Sequence, residues 1–369
     1  MDGRQFTRLF VWMVICLVPL RCGFHAEQAL GARPSRTVAV AGYGDIEQVY
    51  AADDNGVTIE KVTLYAQERD GMPGTIVRRG ILHRRRDAEA TILIAHGFMC
   101  DKEDVGFLRH VLGRSTYNVM TFDFRAHGQL AGDQCCTFGY EEAHDAIAAA
   151  SFLREHPDLR GKPLFAYGFS MGAAALIEAA ARQEGLFDAM VLDCAFDSSE
   201  TIIRKNLDNL TVSFLGYEFS MPGKAILQRY AFQPYVQSMI KAALKVVRHL
   251  ETRDIPLRVD PFAPAESIKK VSAPCFFIHC KNDEKIPANS ARNLFNNAAG
   301  FKRLWLTNGR RHYDSFFYDP ERYASEVHRF YDLVLHNKLA DTRDQEVTED
   351  PDDAEDLMRV EIKAREEAA

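Results

Sequence analysis

From residue 57 onward the chain alternates between short continuous apolar runs and longer stretches in which apolar residues recur at helical spacing. An extended run begins at Val57-Thr58-Ile59 and continues to Leu64. The turn Asp70-Gly71-Met72-Pro73-Gly74 leads into a second extended run at Thr75-Ile76-Val77, so the two are expected to pair as an antiparallel hairpin. Ala90-Thr91-Ile92-Leu93-Ile94-Ala95 lacks polar alternation. Such runs mark strands buried on both faces, as in a parallel sheet. Further strands are expected at 119–123, 163–167, 189–192, 274–278 and 302–306, and helices at 140–155, 170–183, 290–299 and 320–335. This alternation predicts an α/β fold: a mostly parallel sheet with helices on both faces and right-handed crossovers.

Residues 198–262 interrupt the pattern. They are rich in Phe, Tyr, Leu and Met, show helical periodicity over 225–235 and 236–250, and are too long for a connecting loop. They read as a helical lid over the carboxyl edge of the sheet, with Phe214, Tyr217, Phe219 and Phe232 as candidates to face an apolar substrate; a packing excursion remote from the site is the alternative. The resulting plan has a signal peptide or N-terminal anchor at 1–32, an exposed lead-in at 33–55, and a core at 56–197 and 263–340. The lid occupies 198–262, and an acidic tail, expected to be disordered, occupies 341–369.

Composition changes this picture at the two ends. Arg4 and Arg8 precede an apolar run from Leu9 to Leu20, a length that fits a signal-peptide core and falls short of an ordinary membrane span. The chain is therefore expected to be exported, periplasmic or secreted, or held at a membrane by its N-terminus, rather than cytoplasmic. The formal net charge is −7, and residues 341–369 contribute −8 of it, which leaves the rest near neutral. A nucleic-acid partner would need a basic face that this balance does not provide. Arg84-Arg85-Arg86 reads as a solvated turn. Cys100, Cys135, Cys136, Cys194, Cys275 and Cys280 match no C-x-x-C pattern. Cys275 and Cys280 fall on one apolar run and read as packing residues, whereas a disulfide among Cys100 and the Cys135-Cys136 pair is open to an exported chain. Neither a metal-ligand cluster nor a glycine-rich phosphate loop is apparent, so no cofactor is implied.

The candidate chemistry lies in Gly168-Phe169-Ser170-Met171-Gly172, a G-x-S-x-G motif. Its setting carries more weight than the motif, because it follows an apolar strand and opens the small-residue helix Ala173-Ala174-Ala175-Leu176. A strand–turn–helix of this kind presents Ser170 as a nucleophile, which needs a base and an orienting acid. Asp283 follows the strand at 274–278, and His312 follows the strand at 302–306. All three positions are expected at the carboxyl edge, where open α/β sheets bind ligands, in the order Ser, Asp, His. Backbone N–H groups of Met171 and Phe98, the latter in His96-Gly97-Phe98-Met99, are the candidate oxyanion donors. Asp193 and Asp197 follow another strand end and compete with Asp283 as the acid; a catalytic His96 is disfavoured by chain order. Cys194 lacks an elbow and reads as buried. Arg310 and Arg311 precede His312 and either lie exposed or face an anionic substrate group.

On His96-Gly97-Phe98, Asp123-Phe124-Arg125-Ala126-His127-Gly128, the Ser170 motif, Asp283 with Ile286-Pro287, and His312, the chain resembles the α/β-hydrolase superfamily. The similarity is to its bacterial esterase, lysophospholipase and serine-aminopeptidase-like branches, over roughly 56–196 and 262–336. The resemblance implies a structural role for 123–128 and a serine hydrolase that forms an acyl-enzyme from a small-molecule carboxylic ester or thioester. A serine peptidase or amidase with the same triad remains an alternative, as does a non-catalytic hydrolase-like binding protein, because a fold does not select a leaving group. The N-terminal segment offers a membrane contact.

Overall fold

Alternate side chains of the central apolar strands enter two separate cores, one on each face of a single sheet. Ile92 and Ile94 join Phe165, Tyr167, Val327, Phe330 and Tyr331 on one face. Leu93 and Ala95 join Ala166, Phe152, Leu176 and Leu294 on the other. This period-two partition is what a run without polar alternation requires, and it buries the strands between helical layers. The computed structural model describes residues 38–50, 56–71, 74–113, 116–132, 134–208, 211–214, 217–220, 255–258, 260–339 and 345–350.

The sheet has eleven strands. In chain order these are β1 (Val38–Val40), β2 (Gly44–Tyr50), β3 (Val57–Gln67), β4 (Thr75–Arg85), β5 (Ala90–Ala95), β6 (Tyr117–Phe122), β7 (Leu164–Phe169), β8 (Ala189–Asp193), β11 (Cys275–Cys280), β12 (Lys302–Thr307) and β13 (Gln345–Glu349). The spatial order is β1-β2-β3-β4-β6-β5-β7-β8-β11-β12-β13. Strands β1 to β4 form an antiparallel meander, and β4 pairs antiparallel with β6. From β6 across to β13 every pairing is parallel. Strand order reverses on either side of β5, with β6 on one flank and β7 on the other, so a topological switch point opens above β5.

Helices Glu142–Glu155, Met171–Arg182 and Ala288–Asn297 cover one face, while Gly106–Val111 and Pro320–Leu335 cover the other. Pro320 sits in the first turn of its helix, and Asp319 accepts a hydrogen bond from the Arg322 N–H, a capped start. Among the described residues no helix is long and apolar enough to cross a membrane.

The structure corrects the sequence reading in several places. The lead-in at 33–55 contains β1 and β2, whose Val40 and Ile46 are buried against the meander. Gly44 permits this packing, because a Cβ there would lie 2.1 Å from the Thr63 carbonyl oxygen. The acidic tail is ordered over Gln345–Glu349, which pairs in parallel with β12. Cations across the edge explain this: Arg303 Nε lies 2.8 Å from Glu346, and Arg292 Nη2 donates to Glu349 at 2.6 Å. Asp350 is then buried and accepts from Trp305 Nε1 at 2.9 Å and from Asn308 N–H at 3.3 Å. Residues 198–262 are not helical throughout, since Ser199–Asp208 is a helix but β9 (Thr211–Phe214) and β10 (Tyr217–Ser220) form a separate antiparallel hairpin. The helical stretches expected at 225–235 and 236–250, Phe232, and the segment 1–32 lie outside the described residues. Arg84 and Arg85 belong to β4 rather than to a solvated turn; Arg84 pairs with Glu60 and Asp158, and Arg85 donates to the Gly113 carbonyl. Among the described residues Cys100, Cys135 and Cys136 form no disulfide, so the bridge that the sequence left open is not made.

Candidate active site

Ser170 follows β7 directly and opens the helix Met171–Arg182. Its φ is +53° and its ψ −120°, a backbone state that a non-glycine residue adopts only when its surroundings impose it. The Ser170 N–H donates to the Asp193 carbonyl at 2.8 Å, tying the elbow to the end of β8. Gly172 meets the end of β5, where a Cβ would lie 2.2 Å from the Ala95 oxygen and 2.6 Å from that of His96. The elbow therefore rests on the backbone of the loop that carries Phe98.

That loop is braced by two imidazoles. His96 is buried; its Nδ1–H donates to the Gly97 carbonyl at 2.8 Å, and its Nε2 accepts from the Phe124 N–H at 3.1 Å. Burial, with the nearby His127, drives its pKa down to about 3, so the ring is neutral and structural. His127 donates to the Arg125 carbonyl at 2.8 Å and accepts from the Met99 N–H at 3.2 Å. Asp123 accepts from the Lys102 N–H at 2.9 Å and from its Nζ at 3.0 Å. The Phe98 ring packs 4.9 Å from Phe138 and 5.8 Å from His127. Phe98 and Met171 thus follow adjacent parallel strands in register, Ala95 opposite Gly168.

Asp283 lies in the turn after β11, with its N–H donating to the Cys280 carbonyl at 3.2 Å. Its Oδ1 accepts from the N–H groups of Lys285 at 2.8 Å and Ile286 at 3.0 Å, and its Oδ2 accepts from His312 Nδ1 at 2.7 Å. Burial alone would raise its pKa, but the His312 hydrogen bond and charge, the nearby His279 and the Ile286 N–H outweigh that and hold it below the usual carboxylate range. His279 donates from Nε2 to the Ile286 carbonyl at 3.0 Å, so it fastens the same turn.

His312 lies in the loop after β12 and is partly exposed. The neighbouring Tyr313 stacks on Phe169, ring centroids 4.0 Å apart, and its N–H donates to Cys194 Sγ at 3.3 Å. The residue after His312 and the residue before Ser170 are therefore in face-to-face contact. Arg310 and Arg311 are exposed.

The competing acids are otherwise engaged. Asp197 accepts from Ser290 Oγ at 3.1 Å and Asn293 Nδ2 at 3.0 Å. Asp193 is fully buried and accepts from the Tyr323 hydroxyl at 2.7 Å; burial pushes its pKa up to about 6. Cys194 is also buried, and burial pushes its thiol well up. Ligating atoms of Cys194, Asp283 and His312 lie within 4.8 Å of one another. Two of the three are already joined by the 2.7 Å hydrogen bond, and the thiol accepts from Tyr313, so the set reads as a hydrogen-bonded cluster.

A family model described as the alpha/beta hydrolase family matches residues 92–326. This chain belongs to the alpha/beta hydrolase family. The hydrolase is 27% identical over 247 residues to the uncharacterized protein YqkD of Bacillus subtilis (strain 168), covering 67% of this chain and 72% of that protein. It is 26% identical over 198 residues to the lysophosphatidylserine lipase ABHD12 of Rattus norvegicus, covering 52% of this chain and 40% of the relative. Among solved structures it shares its fold with the Pyrococcus furiosus esterase Pf2001, with a TM-score of 0.54 at 18% identity, over 75% of this chain and 93% of the other. The resemblance already implied a structural role for the stretch that holds His127, whereas His279, Tyr313 and Asp350 brace this hydrolase's site without having been assigned from the sequence. Tyr313 and Asp350 act through partners far away in sequence, whereas His279 reaches Ile286 only seven residues on.

Proposed function

We propose that this hydrolase cleaves a carboxylic ester or thioester through an acyl-enzyme on Ser170. The observation that carries the reading is the 2.7 Å hydrogen bond between His312 Nδ1 and Asp283 Oδ2, at the same sheet edge as the strained serine elbow. With Nδ1–H held by the carboxylate, the free lone pair of His312 is on Nε2. Nε2 takes the Ser170 proton as Oγ attacks the substrate carbonyl, and Asp283 stabilises the imidazolium without itself becoming protonated. The N–H groups of Met171 and Phe98 receive the developing oxyanion, aided by the N-terminus of the helix Met171–Arg182. His312 then returns its proton to the leaving alcohol or thiol, and water enters by the reverse sequence to release the acid.

The depressed pKa of Asp283 supports an ionised orienting acid at neutral pH. An ester leaving group is favoured by the relative from Rattus norvegicus, which is named a lipase. The test is active-site labelling with a fluorophosphonate: wild type is expected to react and Ser170→Ala to remain unlabelled. Equal labelling of the two proteins would remove Ser170 from the role of nucleophile.

A further inference from the structure

Arg78 in β4 is a buried cation that the reaction above does not use. It is 3% exposed, and its Nε and Nη1 are buried without a hydrogen-bond partner. Its buried basic neighbours are paired: Arg125 binds Asp145 through Nε and Nη2, both at 3.0 Å, and Lys102 binds Asp123 at 3.0 Å. Burial, with the like charge of Arg125, depresses the pKa of Arg78, opposed by the charges of Asp145 and Asp123. An unpartnered guanidinium is costly to bury and stays protonated even so, which makes it a preorganised receptor for an anion.

Arg78 lines a pocket of about 350 Å³ together with Gln129, Leu130 and Gln134. The two glutamine amides add neutral donors, while Leu130 and Val77 are exposed apolar side chains at the same pocket. Apolar side chains beside a buried arginine suit an anionic group carried on an organic molecule better than a hydrated inorganic ion. The pocket also lies on the reacting edge of the sheet. Strand β4 runs antiparallel to β6 with Gly80 opposite Phe122, so Arg78 falls beyond the carboxyl end of β6. In the sheet order β4 is three strands from β7, a step of about 14 Å at the usual strand spacing. The pocket loop continues to Cys136, whose thiol lies 3.4 Å from Met171 Sδ, and to Phe138, which packs on Phe98. The loop that lines the pocket therefore leads on to side chains in contact with both candidate oxyanion residues.

We propose that the Arg78 pocket is an anion subsite that binds a phosphate or carboxylate group of the ester cleaved at Ser170, which rests on the hydrolase reading above. The guanidinium holds the anionic oxygens by charge-assisted hydrogen bonds, and Gln129 and Gln134 flank them.

The test compares two esters of one fatty acid, a neutral 1-acylglycerol and the anionic 1-acylglycerol 3-phosphate, on the full chain and on Arg78→Gln. The variant is expected to lose about tenfold or more in kcat/KM on the phosphate ester, mostly through KM, and to keep its rate on the neutral one. Equal losses on both esters, or none on either, would overturn the proposal. Should Arg78→Gln lack a cooperative thermal transition, Gln129→Ala/Gln134→Ala and Arg78→Lys are to show the same ester-selective loss in weaker form, and a loss on neither ester overturns it equally. A binding arm separates this result from failure of the hydrolase reading. Calorimetry on Ser170→Ala is expected to show saturable binding of glycerol 3-phosphate that Arg78→Gln abolishes. That binding without turnover of either ester would sink the ester part and leave the anion site standing. Inorganic phosphate binding as tightly as glycerol 3-phosphate would make the pocket a free-anion site and overturn the substrate assignment. Absence of binding by both probes, with no discrimination between the esters, would end the proposal altogether.

Discussion

Asp193 ends β8, and Asp283 follows the end of the adjacent parallel strand β11, so two carboxylates of one chemical kind stand side by side at the carboxyl edge. Both are buried, yet their pKa values move in opposite directions. Asp283 is met by two backbone N–H groups and the His312 ring. Asp193 is met by the hydroxyl of Tyr323, which also bonds Tyr167 at 2.8 Å. The lesson is that depth of burial does not decide the charge of a carboxyl group; the number and charge of its donors do. One acid is held ionised beside the His312 ring. The other ends a buried tyrosine chain, with Tyr167 reaching Tyr313 at 3.1 Å, and serves to position that chain.

The sharpest way to break this comparison is to neutralise each acid in turn. Asp283→Asn is expected to lower kcat on any ester substrate by on the order of 10³- to 10⁴-fold, since an amide no longer fixes the imidazole tautomer or stabilises its charge. Asp193→Asn should remain near the wild-type rate. Steady-state kinetics on folded variants decide the matter, and the reverse ranking would transfer the orienting role to Asp193.

The two acids should also pull stability in opposite directions as pH changes. An unfolded aspartate titrates at about 3.9. Folded Asp193 titrates at about 6, so between these values the native state holds a proton that the unfolded state has released. Stability then falls as pH rises through that window, by on the order of 3 kcal/mol for this residue. Folded Asp283 lies below its unfolded value, so its contribution is fully present above about pH 4 and is lost as pH falls through its folded pKa. Urea unfolding at several pH values should therefore show Asp193→Asn gaining on wild type from pH 4.5 to pH 7.5. Asp283→Asn should lose more relative to wild type at neutral pH than near pH 3. Parallel pH profiles for the two variants would contradict the assigned shifts.

What could be read in the sequence follows the same division between local and distant partners. Strands β5, β7, β11 and β12 were legible because burial on both faces leaves an uninterrupted apolar run. Ser170, Asp283 and His312 were legible as residues just past the ends of such runs. β13 was not, because Gln345–Glu349 is polar, and its pairing depends on Arg303 and Arg292, which lie far back in the chain. β1 and β2 were missed for a similar reason, as edge strands with only a few buried residues each. The hairpin of β9 and β10 lay within a segment read as helical from the periodicity of its later part, 225–250. The braces around the site, His127 on Met99 and His279 on Ile286, have no local spacing that announces them, since a histidine near a strand end serves equally as base, ligand or clamp.

Tyr323 offers the finest adjustment of the comparison and the smallest expected effect. Its hydroxyl is buried and donates to Asp193, so Tyr323→Phe removes a charge-assisted hydrogen bond, and with it the neutral bond to Tyr167, which keeps Tyr313 as a partner, while leaving the ring, its T-shaped contact with Phe316 and its place in the core. At pH 7.5, where Asp193 is ionised, the loss should be about 1.5–3 kcal/mol, the range for hydrogen bonds to charged groups. At pH 4.5 the carboxyl is protonated, the bond joins neutral partners, and the loss should shrink to about 1 kcal/mol. Without its donor the carboxylate is less favoured, so the midpoint of the pH dependence should move above about 6, away from the behaviour of Asp283. Turnover should change little, because Tyr323 lies behind β7 and β8 and bonds neither Asp283 nor His312. Measuring unfolding free energy and kcat across the same pH series tests both halves of the claim. An equal stability loss at pH 4.5 and pH 7.5 would show that the hydroxyl serves packing alone and that Asp193 does not carry the charge assigned to it.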